Sequence, residues 1–129
     1  MKTGAGVVGE DALPVVSKAG LRIVSGSCPT VGLVGGFTQD GGHSSLTSAY
    51  GMSAHQVLER EVVLANEMLT TATPSKNQDL YWVLSGGRPG TYGMVISLTV
   101  RAFKDGVVAI GSLLIFSRRK IQRHILGGC

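Results

Sequence analysis

The spacing of apolar residues changes period several times along the chain, and each change marks an element. In "EDALPVVSKAG" two acids lead, Ala12, Val15, Val16 and Ala19 follow at helical spacing, and Gly20 closes the run. This predicts a short helix with Pro14 in its first turn, where a missing N–H is cheapest. "LRIVSG" reads as a strand, and "SSLTSAYG" as one or two helical turns begun by a serine cap. "HQVLEREVVLA" alternates, with Val57, Glu59, Glu61 and Val63 on one face and Leu58, Arg60, Val62 and Leu64 on the other. "NE" then predicts a two-residue turn into a strand at "MLTTA". "SKNQDLYWVLS" predicts a helix capped by Ser75, with Leu80, Val83 and Leu84 inward and Gly86-Gly87 as its end. "TYGMVISLTVRAF" and "GVVAIGSLLIF" are β-rich runs joined at "KDG", a hairpin signal. Strands joined mostly by turns, with two interposed helices, predict an α+β fold: an antiparallel sheet with flanking helices.

Composition narrows the function classes. Hydrophobic residues make up 43% and charged ones 16% of 129 residues, which suits one packed domain rather than a disordered chain. The net charge of +4 comes from the end of the sequence, where Arg118, Arg119, Lys120 and Arg123 have no accompanying acid. With those four set aside, eight basic residues face eight acids, so the body gives no sign of a nucleic-acid partner. Residues 118–129 read as a basic, solvated tail. Two cysteines, Cys28 and Cys129, make no disulfide framework. No secretory signal opens the sequence, and the apolar run from Val107 to Phe116 falls short of the ~20 residues a membrane helix needs.

The outlier is "GSCPTVGLVGGFTQDGGHSSLTSAYG", where seven glycines crowd around one cysteine and one histidine. Such a stretch either links domains or lets backbone approach something bulky. It contains no P-loop, no Gly-x-Gly-x-x-Gly dinucleotide fingerprint, no metal-ligand spacing and no nucleophile–base–orienter set. What it does contain resembles the second half of the FAD-binding domain of berberine-bridge-enzyme-like oxidases, members of the vanillyl-alcohol-oxidase superfamily with its PCMH-type FAD domain. The resemblance runs through "GSCPTVG", "GGHSS", "AYG" and "EVV" and continues in "NQDLYWVLSGGRPGTYG", over residues 4–117.

That resemblance implies a partial PCMH-type FAD-binding domain over residues 1–117. FAD would lie along main-chain amides at Gly35, Gly36, Gly41 and Gly42, which meet a diphosphate without lysines. Cys28 would bond covalently to C6 of the isoalloxazine; the alternative is an inert buried thiol. Val31 and Gly32 follow in the same motif. His43 would offer backbone contacts, against an ordinary hydrogen-bonded loop histidine. Tyr50 and Gly51 would frame the ring or ribityl chain, against Tyr50 as core filling, and Val62 would offer its backbone to the adenine end. Tyr81 and Trp82 are assigned to helix packing.

Four positions depart from the family pattern: His55 replaces an aspartate, Asp40 interrupts a third glycine, Arg88-Pro89 replaces two flexible positions, and "ANEML" lacks a turn glycine. The implied activity is an FAD-dependent oxidation of an alcohol, sugar or secondary-metabolite carbon, with O2 as electron acceptor and no catalytic base or metal site in this chain. Family enzymes also carry an upstream FAD subdomain and a substrate domain, so the sequence reads equally as a fragment or as an inactive flavin-binding remnant. Nothing in it fixes a compartment, although relatives are often secreted.

Overall fold

The computed structural model describes residues 1–108. Among these residues, six strands and three α-helices form an α+β fold in which every strand pairing is antiparallel. The strands are β1 (Lys2–Gly4), β2 (Leu21–Arg22), β3 (Val57–Val63), β4 (Leu69–Ala72), β5 (Met94–Val100) and β6 (Phe103–Lys104). The helices are α1 (Gly9–Lys18), α2 (Thr47–Tyr50) and α3 (Gln78–Val83). The main sheet has the order β1-β5-β3-β4, and β2 pairs with β6 in a separate ribbon. The run "GVVAIGSLLIF" lies outside the described residues from position 109 onward, as do the basic tail and Cys129.

One face of the sheet carries the core. Val57, Val62, Val95, Leu98 and Val100 meet Ala12 and Val16 of α1, Leu33 and Val34 of the glycine-rich run, and Leu84 beyond α3. Strand β3 does not keep the simple alternation its sequence suggests. Val57 pairs with Val100 while Glu59 pairs with Thr99, so Leu58 is the extra residue of a bulge. The bulge turns Leu58 outward and brings Val57, Arg60 and Val62 to the same buried side. A second register shift falls between Glu61 and Val62.

Other boundaries differ from expectation for local reasons. Helix α1 starts at Gly9, so Pro14 is its sixth residue rather than part of the first turn. The early start is possible because the amides of Gly9 and Glu10 donate to the carbonyls of Val31 (3.2 Å) and Pro29 (2.9 Å). Pro14 removes the bond to Glu10, but both residues are exposed and the carbonyl is left to water. Val15 also faces solvent, so Ala12 and Val16 alone of the four helical positions are buried.

Only Leu21 and Arg22 of "LRIVSG" pair as strand; Ile23 and Val24 enter the core as irregular chain. The β3–β4 turn spans three residues, not two. Glu67 N donates to Leu64 O and Leu64 N to Met68 O, with Glu67 at φ +64°. Ser75 does not cap α3; it bonds Thr73, and Asn77 in the left-handed region precedes the helix. Strand β1, unforeseen in the sequence, pairs Thr3 with Leu98 at the sheet edge.

Helix α3 is bolted down through Tyr81. Its hydroxyl donates to Val57 O at 2.6 Å, and its carbonyl accepts from Ser85 Oγ and from the Arg60 guanidinium. Tyr81 therefore packs as expected, whereas Trp82, one residue on and 100° around the helix, is 78% exposed.

Candidate flavin-contacting loop

The glycine-rich run folds as three limbs. The first, Ser25–Val31, turns at Cys28-Pro29-Thr30, with Val31 N donating to Cys28 O at 3.4 Å. Proline suits the second position of such a turn. The turn is held from behind by the two α1 amides that bond Pro29 and Val31, and it leaves Cys28 exposed as a free thiol. The alternative of a buried, inert cysteine is thus not what the fold shows. Val31 beside it is 40% exposed.

The second limb is a helical segment, Leu33–Phe37, broken at Gly35 by ψ −126°. Leu33 and Val34 enter the core while Gly32, Gly35 and Gly36 face outward: a β-carbon at any of the three would meet nothing within 4 Å. This backbone is open to approach. Thr38 and Gln39, just beyond, are buried and brace the segment. Thr38 Oγ1 donates to Leu33 O at 2.6 Å, and Gln39 Nε2 to Val34 O at 3.0 Å. Gln39 Oε1 has no partner among the described residues, and Gln39 and Gly35 line a cleft of about 270 Å3 with Pro89, Gly93 and Met94.

The third limb, Gly41–His43, has its carbonyls engaged. Gly42 O accepts from Ser53 N and Gly41 O from Ala54 N, both at 2.9 Å. The amides of Gly42 and His43 find no acceptor among the described residues, although Gly42 is buried. Gly42 cannot be replaced cheaply. It sits at φ +71°, and an added β-carbon would come 2.6 Å from Ser53 Cβ. His43 is exposed, and its imidazole has no hydrogen bond among the described residues. Asp40 is exposed too, which keeps its carboxylate in water despite the motif it interrupts.

Beyond the limbs, Tyr50 stacks on Phe103 with ring centroids 4.0 Å apart. Its carbonyl accepts from Gln56 Nε2 at 2.5 Å, and Gly51 turns the chain at φ +82°. His55, expected from the resemblance to replace an aspartate, accepts from Met52 N at 3.3 Å through Nδ1. It thereby supplies the acceptor that a carboxylate would give at that helical start. Val62 is set apart from all of this: its side chain is 0% exposed inside the sheet, between Thr70 of β4 and Val95 of β5. Sequence reasoning missed Phe37, Thr38, Gln39 and Gln56, which brace the limbs. For Phe37 alone there was a signal, an aromatic set among four flanking glycines.

These residues fit a flavin dinucleotide as one wall of a site. They offer two uncommitted amides in tandem, outward-facing backbone at Gly32, Gly35 and Gly36, and an exposed thiol beside them, with no side-chain cation at any of these positions. The clefts at Gly35 and beside Trp82 do not take in Cys28.

Comparison with known proteins agrees with this fold. The VAO-type flavoprotein oxidase VAO615 of Thermothelomyces thermophilus is 54% identical over 124 residues, covering 96% of this chain and 21% of that protein. The crystal structure of the VAO-type flavoprotein MtVAO615 from Myceliophthora thermophila C1 superposes with a TM-score of 0.80 at 55% identity, over 81% of this chain and 19% of that one. A glucooligosaccharide oxidase from Acremonium strictum, described with a 6-S-cysteinyl, 8α-N1-histidyl FAD, superposes with a TM-score of 0.73 at 28% identity, over 80% of this chain and 22% of its own. The chain thus spans about a fifth of such relatives. The family described as "FAD binding domain" matches residues 1–73, more than half of the sequence, and the chain belongs to that FAD-binding family.

Proposed function

We propose that this chain forms the flavin-facing wall of an FAD-dependent oxidoreductase, with Cys28 as the covalent attachment point. The observation that carries the reading is the exposed Cys28 thiol. It stands on a turn fixed by α1 and adjoins a run of backbone that is open at Gly32, Gly35 and Gly36. The Acremonium strictum oxidase, whose FAD is described as cysteinyl and histidyl, supports the assignment of a tether to this fold. The amides of Gly42 and His43 would receive the diphosphate, an arrangement that needs donors rather than positive side chains. Val31 and Gly32 would border the ring, and Gly41 and Gly51 would shape the loop around it. Tyr50 would act through its stack on Phe103, and Val62 through its backbone alone.

FAD, when bound, supplies a two-electron acceptor. The substrate class consistent with the relatives is an alcohol, sugar or secondary-metabolite carbon, with O2 as the final acceptor. This chain's own residues bind and orient; none is assigned as the base. A second reading, a flavin-binding module without turnover, is favoured by the exposed apolar side chains Trp82, Met94 and Leu69, which leave faces unpartnered.

The test is spectroscopic. The full chain is expressed, acid-precipitated and examined for flavin absorbance in the pellet. A yellow pellet that becomes colourless in Cys28→Ala supports the tether. A pellet equally yellow in Cys28→Ala removes Cys28 from the role, and a colourless parent with no FAD binding in solution overturns the reading. Substrate oxidation by the flavin-loaded chain then separates the enzyme from the module.

A further inference from the structure

Phe37 stands where the three limbs meet. A β-carbon placed on Gly26 would come 3.2 Å from Phe37 Cε2 and 3.5 Å from Cδ2. One placed on Gly42 would come 3.0 Å from Phe37 Cε1 and 3.1 Å from Cζ. Neighbouring edges of one ring, meeting at Cζ, therefore abut two glycines: Gly26, two residues before Cys28, and Gly42, whose amide lacks an acceptor among the described residues. The ring itself hangs from the helical segment that carries Gly35 and Gly36, and it packs against the core. No direct hydrogen bond among the described residues ties the Cys28 turn to the Gly41–His43 limb. The Phe37 ring is in reach of both.

We propose that Phe37 is a positioning residue of the flavin site, a spacer that fixes the distance between the Cys28 thiol and the Gly42–His43 amides. An attachment point and a diphosphate grip can serve one ligand only if the gap between them matches that ligand's length. Glycine at positions 26 and 42 then has a specific purpose, since any side chain there would push the ring and change the gap. Close-packed aromatic contacts transmit such shifts rather than absorbing them. The inference rests on the flavin reading for its ligand, but the spacing itself does not depend on it.

The experiment has two readouts on the full chain. In a Cys129→Ser, Ser45→Cys background, spin labels on positions 28 and 45 report the gap between limbs by pulsed electron resonance. In the Cys129→Ser chain without that label site, the rate of covalent attachment is followed after FAD is added. Phe37→Ala is expected to broaden the distance distribution and slow attachment about a hundredfold, the cost of misplacing reacting groups by about 1 Å. Phe37→Met, which refills the space, is expected to restore both. Leu84→Ala, a core deletion beyond α3 that leaves the Phe37 ring in place, controls for lost stability: it should lower the melting temperature and leave the distribution narrow. A narrow distribution in Phe37→Ala, or equal broadening in Leu84→Ala, overturns the proposal. If the parent takes no FAD while the distances behave as expected, the spacer stands and the flavin reading falls.

Discussion

Glu67 offers a quantitative check on the hairpin that joins β3 to β4. It occupies φ +64° at the end of a three-residue loop, a position glycine fills at no steric cost. An L-residue in the left-handed region costs about 1–2 kcal/mol. Glycine would return about 0.5–1 kcal/mol of that through its greater freedom in the unfolded chain. Glu67 is exposed and its carboxylate makes no hydrogen bond among the described residues, so nothing else is lost on replacement. Glu67→Gly should therefore stabilise by about 0.5–1 kcal/mol, raising the melting temperature by about 2–6 °C for a domain of this size. The assay is thermal unfolding followed by circular dichroism across Glu67→Gly, Glu67→Asn, the parent and Glu67→Val. The expected order of stability is that order, since asparagine tolerates the conformation and a β-branched residue resists it most. A Gly variant no more stable than the parent, or a Val variant equal to it, would refute the strain argument.

Three further outcomes follow from the sheet and α3. Arg60 is 0% exposed, with Nε and Nη2 unpartnered among the described residues, and desolvation pushes its pKa down; there, one weak bond and a 4.7 Å approach to the Tyr81 ring are its compensation. Arg60→Met should leave stability unchanged or raise it by about 1–2 kcal/mol in urea unfolding, and a loss above about 2 kcal/mol would mean the charge is satisfied in a way the contacts do not show. Tyr81→Phe should cost about 1–2 kcal/mol by the same assay, because the buried Val57 carbonyl loses its donor. The Glu61 carboxyl, held by Lys2 at 2.8 Å and Ser97 at 2.5 Å, sits below the usual glutamate range, so its contribution is complete above a pH of about 4.3 and is lost as pH falls through the lower folded value. Melting curves of Glu61→Gln should show less acid sensitivity than the parent below that pH; identical acid profiles would remove Glu61 from the account.

How much of this was legible beforehand depended on whether an element is decided locally. The strand at 57–63 and the helices near 10–18 and 78–83 were, because periodicity and flanking residues speak for themselves. The strand read in "LRIVSG" was there but shorter, because its partner is only Phe103 and Lys104, about eighty positions away, which no local pattern shows. Leu58 looked like half of an alternating face, and the bulge that turns it out is a property of its pairing with β5. Ser75 satisfied a capping pattern, yet Thr73 offered its hydroxyl a nearer bond. The start of α1 was set by carbonyls from a loop twenty residues downstream, which no local rule can see. At the candidate site, the motif pointed to the cysteine and the glycines, but not to the aromatic ring of Phe37 that abuts Gly26 and Gly42.

That last point bears on what a glycine-rich motif means physically. The glycines of this loop are of two kinds that look alike as letters. Gly42 is demanded by the fold itself, since its φ and the approach of Ser53 and Phe37 exclude a side chain whether or not any ligand is present. Gly32 and Gly36 are under no such demand: neither has a positive φ, and a β-carbon would project into empty space. Alanine at those two positions should therefore be tolerated by the apo fold. If it abolishes flavin capture while leaving unfolding unchanged, the open backbone exists for the ligand. If capture survives, the motif is explained by packing at Gly42 and Phe37, and the wall that faces the flavin lies elsewhere.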